Sequence, residues 1–457
     1  MLLTIEKLIY GGDGLARVPA PSDTDQAHSR GKAVFVPFVL AAEKIEATLT
    51  EQKPGFARAI ADSIIDPSPH RVPPSCQYFS RCGGCHYQHA SYEHQLEIKK
   101  EILRESLRRT AKLDLPFDIE VHPSPPWNYR NRSRLQVQTE QVQTEKVQVG
   151  TAFVAGYFKM ASHELLAVEQ CPISSPLINR GIAALWQSGR AGKVPQGVRE
   201  VEFFANADDT QLLIDVGCAG VARRAAVRAW GEEWQASMPE IAGVVAFREP
   251  NPGDRKAGAQ EILITVGAAA LTYQTKSAAY RVSAGSFFQT NRHLTDELVK
   301  IVTAGQSGKL ALDLYAGVGL FSTALACDFR HVVSVESSQT SSADLAYNHP
   351  SNGGTVQATV EQYLARAENT AVRKNAEIPH RPELVVVDPP RSGLGEKIAG
   401  LLATMAAPRI VYVSCDPATL ARDLVPLLAA GYRVEQVHLV DLFPQTYHLE
   451  SVVHLVR

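Results

Sequence analysis

Two residues near the end of the chain have the types that covalent catalysis needs. Cys415 follows the apolar run RIVYVS, which predicts a β-strand, and Glu450 opens the last such run, ESVVHLV. A thiolate adding to carbon 6 of uracil would make carbon 5 nucleophilic, and a base must then remove the carbon-5 proton before the thiolate is eliminated. This pair predicts a nucleophile and a general base. The alternatives are a buried, inert cysteine and a solvated acid at a strand start.

Three further cysteines are grouped with the spacing Cys76-x5-Cys82-x2-Cys85, and a fourth, Cys171, lies far along the chain. In a long cytosolic chain such a group indicates metal binding or catalysis rather than disulfides. Zinc sites usually pair two short C-x-x-C units, whereas three grouped thiolates and a remote one fit a [4Fe–4S] cluster. We therefore expect a structural iron–sulfur cluster on these four residues, with zinc as the alternative.

A glycine turn joins an apolar strand to a helix in LALDLYAGVGLFSTALA. Asp313 lies near the end of the strand, and Gly317 lets a ligand approach the backbone at the strand's carboxyl edge. The pattern is not G-x-G-x-x-G, so a dinucleotide is disfavoured. Glu336 closes the next predicted strand, where an acid accepts hydrogen bonds from ribose hydroxyls. These residues favour the adenosine of S-adenosylmethionine over the alternative, a generic βαβ turn.

The third strand of this region ends in LVVVDPPRSG. Asp388 lies at the sheet edge, and two prolines stiffen the loop that follows. Such a loop could hold a planar base beside the methyl group of a cofactor, or it could be a simple strand-ending turn. Similar motifs also serve enzymes that methylate exocyclic amines, so this element predicts a nucleobase methyltransferase without choosing the methylated atom.

A local basic pattern occurs in NYRNRSRLQVQ, where Arg130, Arg132 and Arg134 alternate with a period of two. In an extended strand these side chains would share one face, and phosphate contact is their natural role. The alternative is a solvated strand face. The net charge of −2 gives no global sign of a nucleic-acid partner but does not exclude one.

The elements that position these residues predict a multidomain α/β protein. A chain of 457 residues allows about three domains. We expect a small OB-like β-barrel at 1–56, a central α+β domain with the cysteine cluster at 57–275, and a doubly wound, Rossmann-like domain at 276–457. The predicted strands of the last domain are Leu310–Leu314, Val332–Glu336, Leu384–Asp388, Ile410–Ser414, Val434–Asp441 and Ser451–Val456.

Composition excludes several classes of protein. Hydrophobic residues make up 45% and charged residues 21% of the chain, which argues against disordered or fibrous proteins. No apolar run approaches the roughly 18–20 residues that span a bilayer, and the N-terminus lacks the features of a signal peptide. We expect a cytoplasmic protein without membrane contact, and a monomer by default.

Several of these motifs together resemble the RNA uracil-5-methyltransferase family. SCDPATLARDL and LFPQTYHLESVV resemble its two closing signatures, which implies that Cys415 is the nucleophile and Glu450 the base. GSFFQTN resembles its S-F-F-Q-x-N stretch, whose glutamine touches the cofactor. Here Phe287 and Phe288 are interpreted as core residues rather than as a stacking platform. The resemblance implies cofactor and base contacts by Gln289, Tyr315, Glu336 and Asp388.

The resemblance extends over nearly the whole chain. The N-terminal segment resembles the TRAM domain, a small RNA-binding barrel, and the cysteines resemble those of the family's iron–sulfur branch, where the fourth ligand falls on Cys171. The two features together imply a 23S ribosomal RNA enzyme using S-adenosylmethionine, with transfer RNA as the alternative substrate. The chain differs from the family pattern at Ala316, Leu320 and Thr359, so contacts to the adenine stay unassigned.

Two other functions are consistent with parts of the sequence. An exocyclic-amine methyltransferase built around Asp388 would need no nucleophile, and would keep its activity without Cys415. An RNA-binding or redox iron–sulfur protein with an inactive methyltransferase fold would not bind S-adenosylmethionine. The presence of both Cys415 and Glu450 argues against this last hypothesis.

Overall fold

The computed structural model describes residues 1–18, 31–142, 150–248, 261–372 and 381–457. These residues form a closed barrel, a seven-stranded sheet, a two-stranded hairpin and an eight-stranded sheet. Within these ranges, no helix is both long and apolar enough to cross a membrane.

The N-terminal barrel closes in the order β1-β2-β3-β5-β4. Side chains alternate between buried and exposed along β1, because successive residues of a strand face opposite sides. Gly14 is required where the wall is tight, since an added Cβ would lie 2.4 Å from Val39 Cγ2. The fifth strand lies beyond residue 56, where the predicted domain ends. The strands are β1 Leu2–Leu8, β2 Asp13–Val18, β3 Lys32–Pro37, β4 Lys44–Gln52 and β5 Phe56–Asp66.

The segment after the barrel packs on the C-terminal sheet. Helix α1 (Tyr92–Thr110) begins at Ser91, whose hydroxyl accepts a hydrogen bond from His94 N, and buries Leu103 and Leu107 in a core shared with that sheet. Strand β6 (Glu120–His122) adds a parallel edge to the same sheet. The predicted range 57–275 therefore includes elements of all three sheets: residues 57–66 belong to the barrel, and α1 and β6 pack on the C-terminal sheet.

The central α+β region is a mixed sheet in the order β13-β12-β11-β10-β7-β8-β9. Its helices pack onto the sheet through a shared apolar core that includes Ile182, Phe203 and Trp234. The elements are β7 Arg132–Val142, β8 Gly150–Phe158, β9 Leu165–Ala167, α2 Pro176–Arg190, β10 Val198–Ala205, β11 Leu212–Cys218, α3 Arg224–Ser237, β12 Ile241–Arg248 and β13 Glu261–Gly267.

The C-terminal sheet has the order β18-β17-β16-β19-β20-β22-β21-β6. Along β20, Ile410 and Tyr412 enter one core while Val411 and Val413 enter another, so both faces of the sheet are covered, as doubly wound sheets require. The elements are β14 Ala270–Gln274, β15 Ala279–Ser283, α4 Thr295–Thr303, β16 Gly308–Leu314, α5 Leu320–Leu325, β17 Phe329–Glu336, α6 Gln339–Asn348, β18 Gly353–Gln357, α7 Val360–Val372, β19 Leu384–Val387, α8 Gly395–Met405, β20 Arg409–Ser414, α9 Pro417–Ala429, β21 Arg433–Val440 and β22 Glu450–Val456.

All six predicted strands of this domain are present, and two unpredicted strands, β18 and β6, complete the sheet. Strand β18 is short and glycine-rich, and β6 has only three residues. Neither has the apolar pattern on which a prediction depends.

Candidate active site

Four neighbouring strands deliver chemically useful side chains to one edge of the C-terminal sheet. Strands β16, β17, β19 and β20 run parallel, so their carboxyl ends meet at the same edge. Asp313 and Glu336 lie at the ends of the first two strands, and Asp388 and Cys415 directly follow the last two. Ligands of open α/β sheets bind at this edge.

The turn after β16 is built by left-handed backbone at Tyr315 (φ 65°), Gly317 (φ 56°) and Gly319 (φ 96°). Below the turn, Asp313 is buried, and one carboxylate oxygen accepts a hydrogen bond from the hydroxyl of Ser322. The other oxygen, Oδ1, is buried without a hydrogen-bond partner among the described residues. Burial raises the pKa of Asp313 to about 7.

Glu336 braces the glycine turn from the neighbouring strand. Its Oε2 accepts a hydrogen bond from Gly317 N at 3.0 Å, and its Oε1 accepts one from Ser338 N at 2.6 Å. Each carboxylate oxygen keeps a second lone pair. Glu336 is therefore held in place while it can still accept hydrogen bonds from a ligand.

A cleft of about 230 Å³ lies beside this turn. Tyr315, Val335 and Ile398 give it apolar walls, and Thr359 and Glu361 lie at its rim. Thr359 is engaged at the start of α7, where its hydroxyl accepts a hydrogen bond from Gln362 N at 3.2 Å and its own N–H donates to Gln362 Oε1. Glu361 is an acid lining the same cleft that the sequence analysis did not single out.

Cys415 and Glu450 meet across the antiparallel pair β20 and β22. Ser414 pairs with Ser451. Because the strands are antiparallel, the residue after Ser414, Cys415, lies opposite the residue before Ser451, Glu450. Asp416 caps α9 by accepting hydrogen bonds from Ala418 N at 3.0 Å and Thr419 N at 2.9 Å, which fixes Cys415 between strand and helix. The two predicted catalytic residues are thus neighbours.

The charges around Cys415 oppose its ionisation. Burial raises the pKa of the Cys415 thiol to about 12, and Glu450 and Asp388 are the next largest causes. Burial and Asp388 likewise raise the pKa of Glu450 well above its usual range. Arg391 acts in the opposite direction on both residues, so it is a charged neighbour of the pair that the sequence analysis did not single out.

Gln289 reaches the same edge from the loop before α4. Its Nε2 donates a hydrogen bond to Asp388 Oδ2 at 3.3 Å. The aromatic residues beside it differ from the prediction that both are core residues. Phe288 is buried and its ring centroid lies 4.4 Å from that of Tyr273, whereas Phe287 is 60% exposed. The interpretation as core is therefore correct for Phe288 and wrong for Phe287.

The loop before Glu450 is held by α1. Lys99 is fully buried, and its Nζ donates to Asp441 Oδ1 at 2.6 Å and to Phe443 O at 2.9 Å. Gln95 donates to Gln445 Oε1 at 3.1 Å. Removing one partner of a buried ion pair costs several kcal/mol of folding free energy, so α1 firmly supports the loop that precedes Glu450.

The barrel also reaches the active site. Tyr10 donates its hydroxyl to the carbonyl of Cys415 at 3.3 Å, and its ring lies edge-on to Tyr447 at 5.5 Å. The N-terminal barrel therefore forms one wall beside the candidate nucleophile.

Comparison with known proteins agrees with this geometry. Residues 257–457 match the family described as tRNA (uracil-5-)-methyltransferase. An RNA methyltransferase of Aquifex aeolicus is 31% identical over 463 residues, covering 99% of this chain and 97% of that protein. This chain belongs to the tRNA (uracil-5-)-methyltransferase family. It is therefore an RNA methyltransferase.

Two further proteins are similar to this RNA methyltransferase over nearly the whole chain. The 23S rRNA (uracil(1939)-C(5))-methyltransferase RlmD of Pseudomonas fluorescens is 30% identical over 465 residues, covering 98% of this chain and 92% of that enzyme. The crystal structure of the Pyrococcus abyssi tRNA (uracil-54, C5)-methyltransferase with S-adenosyl-L-homocysteine has a TM-score of 0.71 at 22% identity, over 100% of both chains. The latter likeness establishes a common fold.

A second candidate site of this methyltransferase lies between the loop after the barrel and the central sheet. The four predicted metal ligands, Cys76, Cys82, Cys85 and Cys171, line one cavity of about 250 Å³. Burial and, to a lesser extent, the neighbouring thiols raise the pKa of Cys82 to about 11 and that of Cys85 further, while hydrogen bonds act in the opposite direction. The structure thus brings the remote Cys171 to the other three cysteines.

The predicted basic stripe on β7 is largely neutralised. Arg132 is nearly buried, lies over the Phe204 ring at 4.4 Å and pairs with Glu202 at 3.2 Å. Arg134 pairs with Glu202 at 2.7 Å and Glu200 at 3.3 Å, and Arg130 lines the cysteine cavity. The sequence analysis could not foresee these partners, because they lie on β10, far along the chain. A free basic face is therefore not what the structure presents.

Proposed function

We propose that the protein transfers a methyl group from S-adenosylmethionine to carbon 5 of a uridine in RNA, with Cys415 as nucleophile and Glu450 as base. The observation that carries this proposal is the placement of the two residues beside each other at the ligand-binding edge. An enzyme that methylates an exocyclic amine needs no such nucleophile, so this pair favours carbon-5 chemistry.

The edge has the features that S-adenosylmethionine would use. The apolar cleft beside Tyr315 suits a flat adenine, and Glu336 offers free lone pairs to ribose hydroxyls. Asp313 and Asp388 are buried carboxyl groups with pKa values raised to about 7, and Asp313 Oδ1 has no partner among the described residues. A cationic ligand would satisfy that oxygen and stabilise the ionised carboxylates.

Cys415 reacts as the thiolate, so its raised pKa must fall before it can add. S-adenosylmethionine would bring a positively charged sulfonium that carries the methyl group to be transferred. A cation near Asp388, together with Arg391, favours the ionised thiol. Formation of the Cys415 thiolate would then depend on bound S-adenosylmethionine. In the ligand-free enzyme, the Cys415 thiol would stay protonated and unreactive.

In the proposed reaction, the Cys415 sulfur would bond to carbon 6 of uracil, and the electron pair displaced to carbon 5 would take the methyl group. The bond between that methyl carbon and the sulfonium sulfur would break, and S-adenosylhomocysteine would be the leaving group. Glu450 then removes the carbon-5 proton, and the carbon–sulfur bond breaks to release Cys415 and 5-methyluridine. Glu450 suits this step because Oε1 has no partner among the described residues and burial raises its pKa. A carboxylate in such surroundings is a stronger base than one in water.

Ribosomal RNA is the proposed substrate, and transfer RNA is the alternative. The similarity to a 23S rRNA methyltransferase over 98% of this chain supports the former. The barrel wall at Tyr10 and the exposed ring of Phe287 near Gln289 are the surfaces that an RNA strand would meet around the site. Exposed aromatic rings commonly stack on single-stranded bases. We propose that the barrel is a TRAM-like RNA-binding domain.

Incubation of total RNA with the protein and labelled S-adenosylmethionine tests the proposal. Mapping of the labelled nucleosides by mass spectrometry should find 5-methyluridine in 23S rRNA fragments. Label in transfer RNA would keep the reaction and change the substrate. Label in an exocyclic amine would overturn the roles of Cys415 and Glu450.

The four cysteines are proposed to hold a structural [4Fe–4S] cluster rather than zinc. Tetrahedral zinc with bonds of about 2.3 Å places its thiolates about 3.8 Å apart. The four cysteines line one cavity. Among the described residues, however, no three of their sulfur atoms all lie within 4.8 Å of one another. Wider spacing around an open centre favours a larger group.

Anaerobic purification with iron, sulfide and zinc analysis tests the cluster. We expect about four iron and four sulfide per chain and a brown protein. A colourless protein with one zinc per chain would support the alternative and leave the methyltransferase proposal intact.

A further inference from the structure

Three metal-binding side chains converge at the far edge of the C-terminal sheet, away from both sites described above. Strand β6 contributes Glu120 and His122, and the neighbouring β21 contributes His438. Their donor atoms all lie within 4.8 Å of one another. His122 and His438 are nearly buried, while Glu120 reaches the surface.

The hydrogen bonds of the two imidazoles leave a conflict between them. His122 Nδ1 lies 3.3 Å from the carboxylate of Glu297, and His438 Nε2 lies 3.4 Å from the side-chain amide oxygen Oε1 of Gln436. In a neutral imidazole the nitrogen that faces an acceptor carries the hydrogen, and the other nitrogen has a lone pair. His122 Nε2 and His438 Nδ1 face each other at 3.1 Å, and with the hydrogens placed in this way both nitrogens are acceptors.

The two carboxylate oxygens of Glu120 lie beside the same two imidazole nitrogens and are also acceptors. Its oxygens lie 3.7 Å from His122 Nε2 and 3.4 Å from His438 Nδ1. Bonds of about 2.0–2.1 Å to a tetrahedral ion would place ligand atoms about 3.3 Å apart. The 3.1 Å between the two imidazole nitrogens is close to one such edge, and each imidazole nitrogen lies near a different oxygen of Glu120, at 3.7 and 3.4 Å.

The surroundings match those of protein metal sites. A ligating histidine usually donates its other ring N–H to a carboxylate or carbonyl, which orients the ring, and Glu297 and Gln436 hold those positions. A third histidine, His454, lies next to His438 with ring centroids 5.5 Å apart, and its buried Nε2 has no partner among the described residues.

We propose that Glu120, His122 and His438 bind a divalent transition-metal ion of the zinc type, with a water molecule at the fourth position. The ligands come from two strands that are far apart in sequence. Such an ion would fasten the short strand β6, and with it the segment that carries α1, to the edge of the methyltransferase sheet. Because α1 holds the loop before Glu450 through Lys99, the metal would stabilise the support of the active site without taking part in the reaction.

Zinc titration of the anaerobically purified protein tests this site. After treatment with a chelator, with iron analysis to verify that the cysteine site is unchanged, calorimetry should detect one bound zinc per chain. Cobalt(II) should give d–d absorption without thiolate charge-transfer bands. His438→Ala should abolish this binding, and Glu120→Gln, a change at an exposed residue, should weaken it at least about tenfold.

His331→Ala is the matched control, because His331 is an exposed histidine of the same sheet, and it should bind zinc like the wild type. Glu297→Gln should weaken zinc binding about 10- to 100-fold if Glu297 orients His122. The proposal is wrong if the wild type binds no zinc, in which case a proton is shared by the two imidazoles. It is equally wrong if Glu120→Gln and His438→Ala both bind zinc as the wild type does.

Discussion

Cys415 and the cavity cysteines share a chemistry but differ in their neighbours. The thiol of Cys415 has a pKa raised to about 12 by burial, Glu450 and Asp388. Cys82 has a pKa raised to about 11, chiefly by burial and to a lesser extent by the neighbouring Cys171 and Cys76. Both environments favour the neutral thiol in the absence of a cation.

The two environments differ in the kind of cation that can stabilise the ionised thiol. Several thiolates around one cavity repel one another, so only a multiply charged metal group bound by all of them can stabilise their ionised forms. A single thiol between carboxyl groups can instead be ionised for a short time by a cation that enters and leaves. The first arrangement suits a permanent structural ligand set, and the second suits a nucleophile that must form and break a bond in each turnover.

Cys415→Ala should separate the two sites most sharply. Methyl transfer should fall to background, a loss of at least about 10⁴-fold, because no other group of the site can add to carbon 6. The iron content and the binding of S-adenosylmethionine should stay close to those of the wild type. Turnover at the wild-type rate, measured with labelled cofactor and RNA, would contradict the assignment of the nucleophile.

Glu450→Gln should stall the reaction after methyl transfer. Proton removal precedes release of the thiolate, so we expect turnover to fall about 10²- to 10⁴-fold and a covalent RNA–protein species to accumulate. Denaturing gels with labelled RNA would detect that species, and the double change with Cys415→Ala should remove it. If turnover is unchanged and no adduct forms, Glu450 is not the base.

Cys85→Ser should remove the iron that Cys415→Ala leaves in place. The brown colour and the iron should be lost, and thermal unfolding should occur at a lower temperature, because a ligand set for a metal group stabilises the fold only when complete. Cys327→Ser is the control, since Cys327 is exposed and lines neither site. Full iron content in the Cys85 variant would show that this cysteine is not a ligand.

Sequence patterns predicted the residues at the ends of regular strands, because a strand, a turn and an acid occur in chain order there. Asp313, Glu336, Asp388 and Cys415 all lie where the alternation of strands and helices indicated. The antiparallel pairing of β20 with β22 then brought Glu450 beside Cys415.

Features that depend on distant partners could not be predicted. Arg132 and Arg134 have a basic pattern in sequence, but Glu202 and Glu200 of another strand pair with them. Lys99 belongs to a helix that is rich in paired charges, yet it is fully buried against Asp441. A sequence pattern predicts which side chains share a face of a strand or helix, but it does not predict which residues pack against that face.

The pH dependence of stability tests the electrostatics of the catalytic edge. The pKa of Asp313 is raised from 3.8 to about 7 in the folded protein, so the folded state binds this proton more tightly than the unfolded state. The contribution of Asp313 to stability is therefore lost as pH rises from about 4 to about 7. Asp313→Asn should flatten this part of the profile and raise the free energy of unfolding at pH 8 by up to about 4 kcal/mol.

Urea unfolding of the ligand-free protein at several pH values measures this effect. Asp328→Asn is a matched control, because Asp328 is exposed in the turn just before β17, and its profile should follow that of the wild type. A profile of Asp313→Asn that is parallel to the wild type would show that Asp313 does not titrate in this range.

Phe287 and Phe288 differ in their surroundings as the cysteines do, although they are of the same type and adjacent in the chain. Phe288 is buried, so Phe288→Ala should cost about 3–5 kcal/mol of folding free energy. Phe287 is 60% exposed near Gln289, so Phe287→Ala should leave stability unchanged and weaken RNA binding by about 1–3 kcal/mol. Filter binding should then show an RNA Kd raised about 5- to 150-fold, with unchanged affinity for S-adenosylmethionine. Equal RNA affinity of the Phe287 variant and the wild type would exclude base stacking and leave the barrel wall as the proposed RNA contact.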